Sequence, residues 1–352
     1  MRTLITGGAG FIGINLAKKI LETGEDVVVV DNFFRPGTLQ NIKWLEEQQF
    51  AGKLSVISLD VRIDWKRLKE IIDDYQIDAL YHLAGQVAVT TSVVNPREDF
   101  EINALGTFNV LEAIRLSERK PLIIYTSTNK VFGGMEDIEI VEREKDYIYK
   151  DFPLGIPESR TLDFHSPYGC SKGAADQYVR DYGRIYGLKT VVFRQSAIYG
   201  LRQMGVEDQG WIAWFTIAAV CNKKITIYGN GKQVRDVLFV DDLVNAFQLA
   251  TENIHKTAGN IFNIGGGPNF KMSLLECLGM LEEQLGQKID LTFDNWRPGD
   301  QPVYVSDIRK AKATFGWEPK IGPQEGVRRL FEWVKSNTDL FAYIEHNPVF
   351  KK

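Results

Sequence analysis

In the stretch HSPYGCSK, residues 165–172, a tyrosine stands four positions ahead of a lysine. Residues at i and i+4 share one face of a helix. Ser166 and Pro167, just ahead, suit an N-cap and a first helical position, so a helix is predicted to begin there. A free tyrosine has a pKa of about 10 and is a poor base near neutrality. An ammonium at roughly 4–6 Å, in an effective dielectric near 20, would favour the phenolate by a few kcal/mol, about two pKa units. Tyr168, with Lys172 beside it, would then accept a proton from a substrate hydroxyl. Alone, such a pair is usually a solvated surface contact. A second feature supports the chemistry: Thr126, Ser127 and Thr128 end the strand-like run LIIYT. That puts hydroxyls at the carboxyl edge of a parallel sheet, where ligands bind in doubly wound folds. Thr128 would hold the reacting oxygen in line. Removing the proton leaves a hydride to be taken, which requires a redox cofactor.

A site for one is legible at the other end of the chain. Residues 6–13 read TGGAGFIG. Gly8, Gly10 and Gly13 fit G-x-G-x-x-G, and Gly7, Gly10 and Gly13 fit T-G-x-x-G-x-x-G; the motif follows a strand and opens a helix through Phe11 and Ile12. The glycines let the backbone turn tightly and a diphosphate approach the helix N-terminus, where free N–H groups and the dipole favour negative charge. Asp31 ends the run VVVVD, 18 residues after Gly13. A carboxylate there accepts from both ribose hydroxyls of adenosine and repels a 2′-phosphate, which favours NAD over NADP. Asn32 and Arg35 follow directly.

The elements that must position these groups are short apolar runs alternating with helical stretches. Thr3–Thr6, Val27–Val30, Leu54–Ile57, Ala79–Leu83, Leu122–Thr126 and Val191–Phe193 read as strands, and Ile12–Thr23 as a helix. The runs are nearly all apolar, as strands buried on both faces are. The pattern predicts an α/β fold with a parallel sheet and right-handed crossovers. After Ser196 it weakens, and Ile225–Tyr228 and Leu291–Phe293 are the strand candidates. The expected division is 1–195 plus about 234–255 for the nucleotide domain, and 196–233 plus 256–352 for a second lobe.

Bulk properties exclude several classes. Of 352 residues 44% are hydrophobic and 25% charged, and the formal net charge is −4, so no general affinity for nucleic acid or anionic membranes is expected. The longest apolar run, WIAWFTIAAVC at 211–221, falls well short of the roughly 20 residues that span a bilayer. Cys170, Cys221 and Cys277 have neither paired nor metal-type spacing, and the four histidines are not grouped like zinc ligands. With no apolar leader ahead of MRTLITGG, a cytoplasmic protein without metal is expected.

The motifs together resemble the extended short-chain dehydrogenase/reductase family over essentially the whole chain. They include TGGAGFIG, Asp31-Asn32, Asp60-Val61, HLAG at 82–85, the FEINALGT run with Asn103, and Tyr168-x-x-x-Lys172. The resemblance implies a Rossmann-type doubly wound parallel sheet with a smaller α/β substrate-binding lobe. It implies Thr128, Tyr168 and Lys172 as the catalytic group. NAD would contact Asp60 and Val61 at the adenine, then Leu83, Ala84, Gly85, Gln86 and Thr126, with Asn103 supporting the site. Two segments of the second lobe resemble the family's sugar-nucleotide clamps: YGNGKQVRD with Arg235, and Arg297-x-x-Asp300 followed by Tyr304. Arginine suits diphosphate because its planar fork meets phosphate oxygens in pairs.

Sugar-nucleotide 4,6-dehydratases carry Thr-Asp-Glu at the catalytic threonine, whereas this chain has Thr128-Asn129-Lys130, so reversible oxidation without elimination is expected. TSTNKVFG at 126–133, LDFHSPYGCSKGAADQY at 162–178, VVFRQSAIYGLRQ at 191–203 and DQGWIAWF at 208–215 resemble the CDP-paratose 2-epimerase branch of the family. Departures are Phe132, where tyrosine is usual, and Gln195 and Ala197, where histidine and serine are; Gln195 is expected at the sugar. The branch implies a CDP-sugar substrate inverted at C2, use in lipopolysaccharide O-antigen synthesis, and a homodimer or homotetramer. A UDP-hexose 4-epimerase using the same Thr, Tyr and Lys is the alternative.

Overall fold

The computed structural model describes residues 1–297 and 299–343. The remainder of the expected second lobe, Pro298 and 344–352, lies outside the described residues.

A seven-stranded sheet forms the larger lobe. Its strands, from one edge to the other, are Asn260–Ile264, Thr190–Gln195, Leu122–Thr128, Ala79–His82, Arg2–Thr6, Asp26–Asp31 and Leu54–Ser58. Every pairing is parallel. Successive side chains of a strand point to opposite faces. Accordingly Ile5, Val29, Tyr81, Ile124 and Phe193 enter one buried cluster while Leu4, Val28, Leu80, Ile123 and Val192 enter another. Burial on both faces explains the continuous apolar runs.

From Arg2–Thr6 the chain first adds strands on one side and then crosses to Ala79–His82 on the other. The carboxyl ends of these two neighbours therefore border the crevice at the topological switch point. His82 ties them together there, with Nδ1 at 2.6 Å from Thr6 Oγ1 and Nε2 at 3.0 Å from Thr107 Oγ1. Burial, with the Lys172 cation adding to it, pushes the His82 pKa down to about 3, so this ring is a neutral structural tie.

The smaller lobe is built on small sheets. Ile225–Tyr228 runs parallel to Leu291–Asp294. Val234–Phe239 pairs antiparallel with Lys271–Ser273 and parallel with Val303–Tyr304 and Ala197–Tyr199. Val234–Phe239 stays with the small lobe, and the helix after it, Val240–Glu252, packs on the nucleotide-side helix Phe11–Glu22. The strand that returns to the large sheet is Asn260–Ile264, in a stretch assigned to the second lobe. Phe262 drives this: it sits opposite Phe193 in register and edge-on to Phe315, so its ring is buried only if the strand closes the large sheet.

One buried ion pair fastens the long helix Ser166–Tyr186 to the sheet. Arg194 Nε and Nη2 donate to Asp176 at 2.9 and 3.0 Å, with both side chains almost wholly buried. Removing one member of such a pair strands the other charge in the interior. Asp176→Ala is expected to lose about 3–5 kcal/mol of unfolding free energy by urea denaturation, whereas Arg328→Ala, at the solvent-screened Arg328–Glu325 pair, leaves the urea midpoint nearly unchanged.

Candidate active site

At the nucleotide end, Gly7 has φ +69° and lies so close to the next strand that a Cβ would be 2.6 Å from Ala84 N. A Cβ on Gly13 would fall 2.5 Å from Gly8 Cα. Gly10 caps the Phe11–Glu22 helix, and its N–H donates to Gly7 O at 3.1 Å. This bare backbone at a helix N-terminus is the shape a diphosphate requires. Asp31 accepts from Ala9 N at 3.1 Å and Phe33 N at 2.9 Å, which fixes its carboxylate beside the turn. Burial raises its pKa, opposed by those backbone donors and by Arg35. Asn32 donates to Asp60 at 3.1 Å, and Arg62, which the sequence reading passed over, grips the same carboxylate through Nε and Nη2. Val61 is buried, its carbonyl accepting from Asn109 at 2.9 Å. Arg35 reaches to Gln209 of the other lobe.

Leu83 N donates to Thr6 O at 3.0 Å and leads the chain past Ala84 and Gly85 toward the helix that carries Tyr168. A Cβ on Gly85 would lie 3.1 Å from Asn103 Oδ1 and 3.7 Å from Lys172 Nζ, so the backbone here passes directly beside the lysine. Gln86 N donates to Asn103 Oδ1 at 2.9 Å. Asn103 lies in a π-helical turn, Glu101–Leu105, the kind of irregularity that re-aims side chains at functional sites.

Tyr168 and Lys172 occupy one face of the Ser166–Tyr186 helix, as their spacing predicts. His165 is the residue preceding the helix and Ser166 is its first, but Ser166 Oγ still accepts from Gly169 N at 3.2 Å, the bond a capping hydroxyl makes. Ser166 has φ +68°, a left-handed conformation that costs a non-glycine residue energy and is held only where the surroundings fix it. Tyr168 N donates to Ser92 Oγ at 3.1 Å, fastening the turn. Lys172 Nζ donates to Thr126 O at 2.6 Å and lies 4.4 Å from the Tyr125 ring centroid. Thr126 Oγ1 in turn donates to His82 O. Thr128 Oγ1 accepts from Lys130 N at 3.3 Å and faces the same cavity as Tyr168.

The charge balance differs from the sequence expectation. From the protein groups alone, burial pushes the Tyr168 pKa up to about 12, with the Thr128 hydroxyl pulling it back, Asp99 raising it and Arg35 lowering it. Lys172 is pulled down to about 7 by burial, with Asp176 and Asp99 raising it. Both shifts follow first from burial in the dry interior, where Lys172 Nζ is held by the Thr126 carbonyl and the Tyr125 ring face.

A cavity of about 380 Å³ opens over this face toward the small lobe. Phe11, Ile12, Thr128 and Tyr168 line one end, and Arg235, Arg297 and Asp300 line the other. Arg235 pairs with Asp300 at 2.6 Å. Arg297 pairs with Asp208 at 3.0 Å and stacks 3.9 Å above the Tyr228 ring. Trp211, Trp214 and Phe215 line the cavity too. Lys130 also faces it, its pKa lowered to about 8 by burial and Arg235 against the pull of Asp300. Two expected residues fall outside. Tyr304 is fully buried and stacked on Phe132. Gln195, beside Thr128 in the sheet register, is buried. Asp99, Ser171 and Arg62 are the polar groups around the site that sequence reasoning missed. No motif marks Asp99, whose neighbours come from distant segments.

Residues 4–330 match the GDP-mannose 4,6 dehydratase family. The chain belongs to this family. Over 343 residues it is 47% identical to a CDP-paratose 2-epimerase of Salmonella typhi, covering 96% of this chain and all of that one. Among solved structures it is similar to the UDP-glucose 4-epimerase of Thermotoga maritima with UDP-glucose, at 30% identity and TM-score 0.82, covering 96% of this chain and 100% of that one. It is also similar to the UDP-glucose 4-epimerase of Thermus thermophilus in complex with NAD, at 30% identity and TM-score 0.79, with the same coverage. Within this family the glycine turn has a direct test. Gly13→Ala, whose methyl would collide with backbone rather than a movable side chain, is expected to abolish copurifying nucleotide measured after acid release, while far-UV circular dichroism stays native.

Proposed function

We propose that this protein is an NAD-dependent sugar-nucleotide epimerase that inverts C2 of a CDP-3,6-dideoxyhexose, converting CDP-paratose to CDP-tyvelose. The observation that carries the reading is one cavity bordered by Thr128 and Tyr168 at one end and by two arginines at the other. It is supported by the 47% identity to a CDP-paratose 2-epimerase over nearly the whole of both chains.

NAD bound along the glycine turn supplies a reversible acceptor for the C2 hydride. Gly7, Gly10 and Gly13 give it room, with Phe11 and Ile12 beside it. Asp31, Asn32 and Arg35 lie where adenosine ribose would rest, Asp60 and Val61 at the adenine, and Leu83 to Gln86, Asn103 and Thr126 along the path to Lys172. Arg235 and Arg297 hold the substrate diphosphate, and Asp300, now paired with Arg235, holds the ribose. Thr128 hydrogen-bonds the C2 oxygen, and Tyr168, as the phenolate that the positive charges of Lys172 and of bound oxidised NAD would favour, takes the hydroxyl proton as the C2 hydride leaves. Lys172, as an ammonium at Thr126 O, stabilises that phenolate before it accepts the proton. The 2-keto sugar turns its other face, hydride returns to C2, and Tyr168 gives the proton back. The oxidation is undone within each cycle, so no external oxidant is consumed. Elimination of water needs carboxyl groups after Thr128, and Asn129 and Lys130 supply none.

The same reading gives a cytoplasmic enzyme supplying sugars for lipopolysaccharide O-antigen. It also gives a homodimer or homotetramer, supported by the exposed Leu116, Tyr178, Ile185 and Tyr186 on the two adjacent helices Gly106–Leu116 and Ser166–Tyr186. Incubation with CDP-paratose and with UDP-glucose, followed by anomeric proton NMR, tests the substrate. Conversion of CDP-paratose alone is expected; conversion of UDP-glucose alone would make the protein a UDP-hexose 4-epimerase. Tyr168→Phe is expected to keep bound NAD and lose at least about 100-fold in kcat, the general-base contribution; near-normal turnover would leave Tyr168 without its role.

A further inference from the structure

Under the Tyr168–Lys172 face lies a carboxylate that the proposed reaction does not yet use. Asp99 is 1% exposed, on the short helix Pro96–Phe100. Its Oδ2 accepts from Ser171 Oγ at 2.5 Å. Its Oδ1 accepts from Asn103 Nδ2 at 3.1 Å and Gln86 Nε2 at 3.0 Å. All three donors are neutral. Burial raises the Asp99 pKa, and the Ser171 hydroxyl, the Lys172 charge and the Asn103 amide oppose it; where it is ionised, no cation hydrogen-bonds it, so its charge acts on an ion nearby in the low-dielectric interior. Asp176 is the larger of the two charges that raise Lys172, but it is held by both prongs of Arg194 and by Ser127 Oγ at 2.8 Å, so Asp99 is the one of the two without a cationic hydrogen-bond partner. The other groups facing Lys172 are neutral: His82 from its strand, and the Tyr125 ring and Thr126 carbonyl from theirs. Tyr168 shares its helix, and Arg35 bears on the phenol from the nucleotide side.

We propose that Asp99 is a positioning residue that keeps Lys172 an ammonium in the buried site and, through Ser171 and Asn103, fixes the helix face that presents Tyr168. This rests on Lys172 serving the reaction proposed above. Burial favours the neutral amine, and Asp99 is among the charges that oppose it. A lysine whose pKa is lowered loses its proton as pH rises, so weakening that opposition moves the loss of activity to lower pH.

The isosteric Asp99→Asn removes the charge and keeps the shape of the network. In the NAD-loaded enzyme, the alkaline limb of kcat/KM for CDP-paratose is expected to move down by about one pH unit, roughly a ten-fold loss just above the wild-type limb. Ser171→Ala leaves the charge in place, and its alkaline limb is expected to coincide with wild type. An Asp99→Asn enzyme with wild-type melting temperature and an unmoved alkaline limb would overturn the inference. If Asp99→Asn does not fold, Asp99→Ser, which also removes the charge, carries the same test: its alkaline limb must move down, and an unmoved alkaline limb overturns the inference. Lys172→Ala separates the two readings. Full activity in that variant would strike the reaction assignment itself, whereas its inactivity together with an unmoved Asp99→Asn profile strikes only the role of Asp99.

Discussion

Burial of an acid–base pair beneath the carboxyl edge of a parallel sheet is the constraint on which the rest of this structure depends. Tyr168 and Lys172 are both almost fully enclosed, and burial drives each toward its neutral form. Their charge states are therefore set by the few groups that reach them: Thr128, Asp99, Asp176 and Arg35. The fold exists to hold those groups still. Strand Leu122–Thr128 brings the Thr126 carbonyl and the Thr128 hydroxyl, the long helix brings the pair itself, and the π-helical turn at Asn103 aims a side chain between them.

The two lobes divide the labour by the kind of element each offers. The parallel sheet gives a bare helix N-terminus at its switch point, where backbone alone would receive phosphate. The small lobe offers long side chains instead. Arg235 and Arg297 are held ready by Asp300 and Asp208, and a substrate diphosphate would exchange those partners for its own oxygens. Between them the cavity wall changes from hydroxyl to aromatic to charged, which matches a molecule that is sugar at one end and nucleotide at the other.

Much of this was legible from residue order, because the information is local. TGGAGFIG, VVVVD and the Tyr168–Lys172 spacing each describe one turn of backbone, and all three stand where the pattern predicts. What escaped depends on tertiary neighbours. Asn260–Ile264 is not among the strands expected from sequence, and its place is set by Phe193 opposite Phe262. Tyr304 follows a clamp motif, yet its ring is stacked on Phe132 in the core. The Tyr168–Lys172 spacing marks a shared face but not the burial that raises the phenol's pKa, nor the carbonyl that takes the lysine's hydrogen bond. Asp99 sits four residues before Asn103 in an unremarkable acidic stretch, and only the folded chain makes it the neighbour of Lys172.

The central claim is that the stereocentre inverts by loss and return of its own hydride. CDP-paratose carrying deuterium at C2, turned over in ordinary water and followed by mass spectrometry and NMR, tests it most directly. CDP-tyvelose is predicted to retain the deuterium at C2. Replacement of that label by solvent hydrogen would contradict the claim, because inversion would then proceed through a proton exchanged with water.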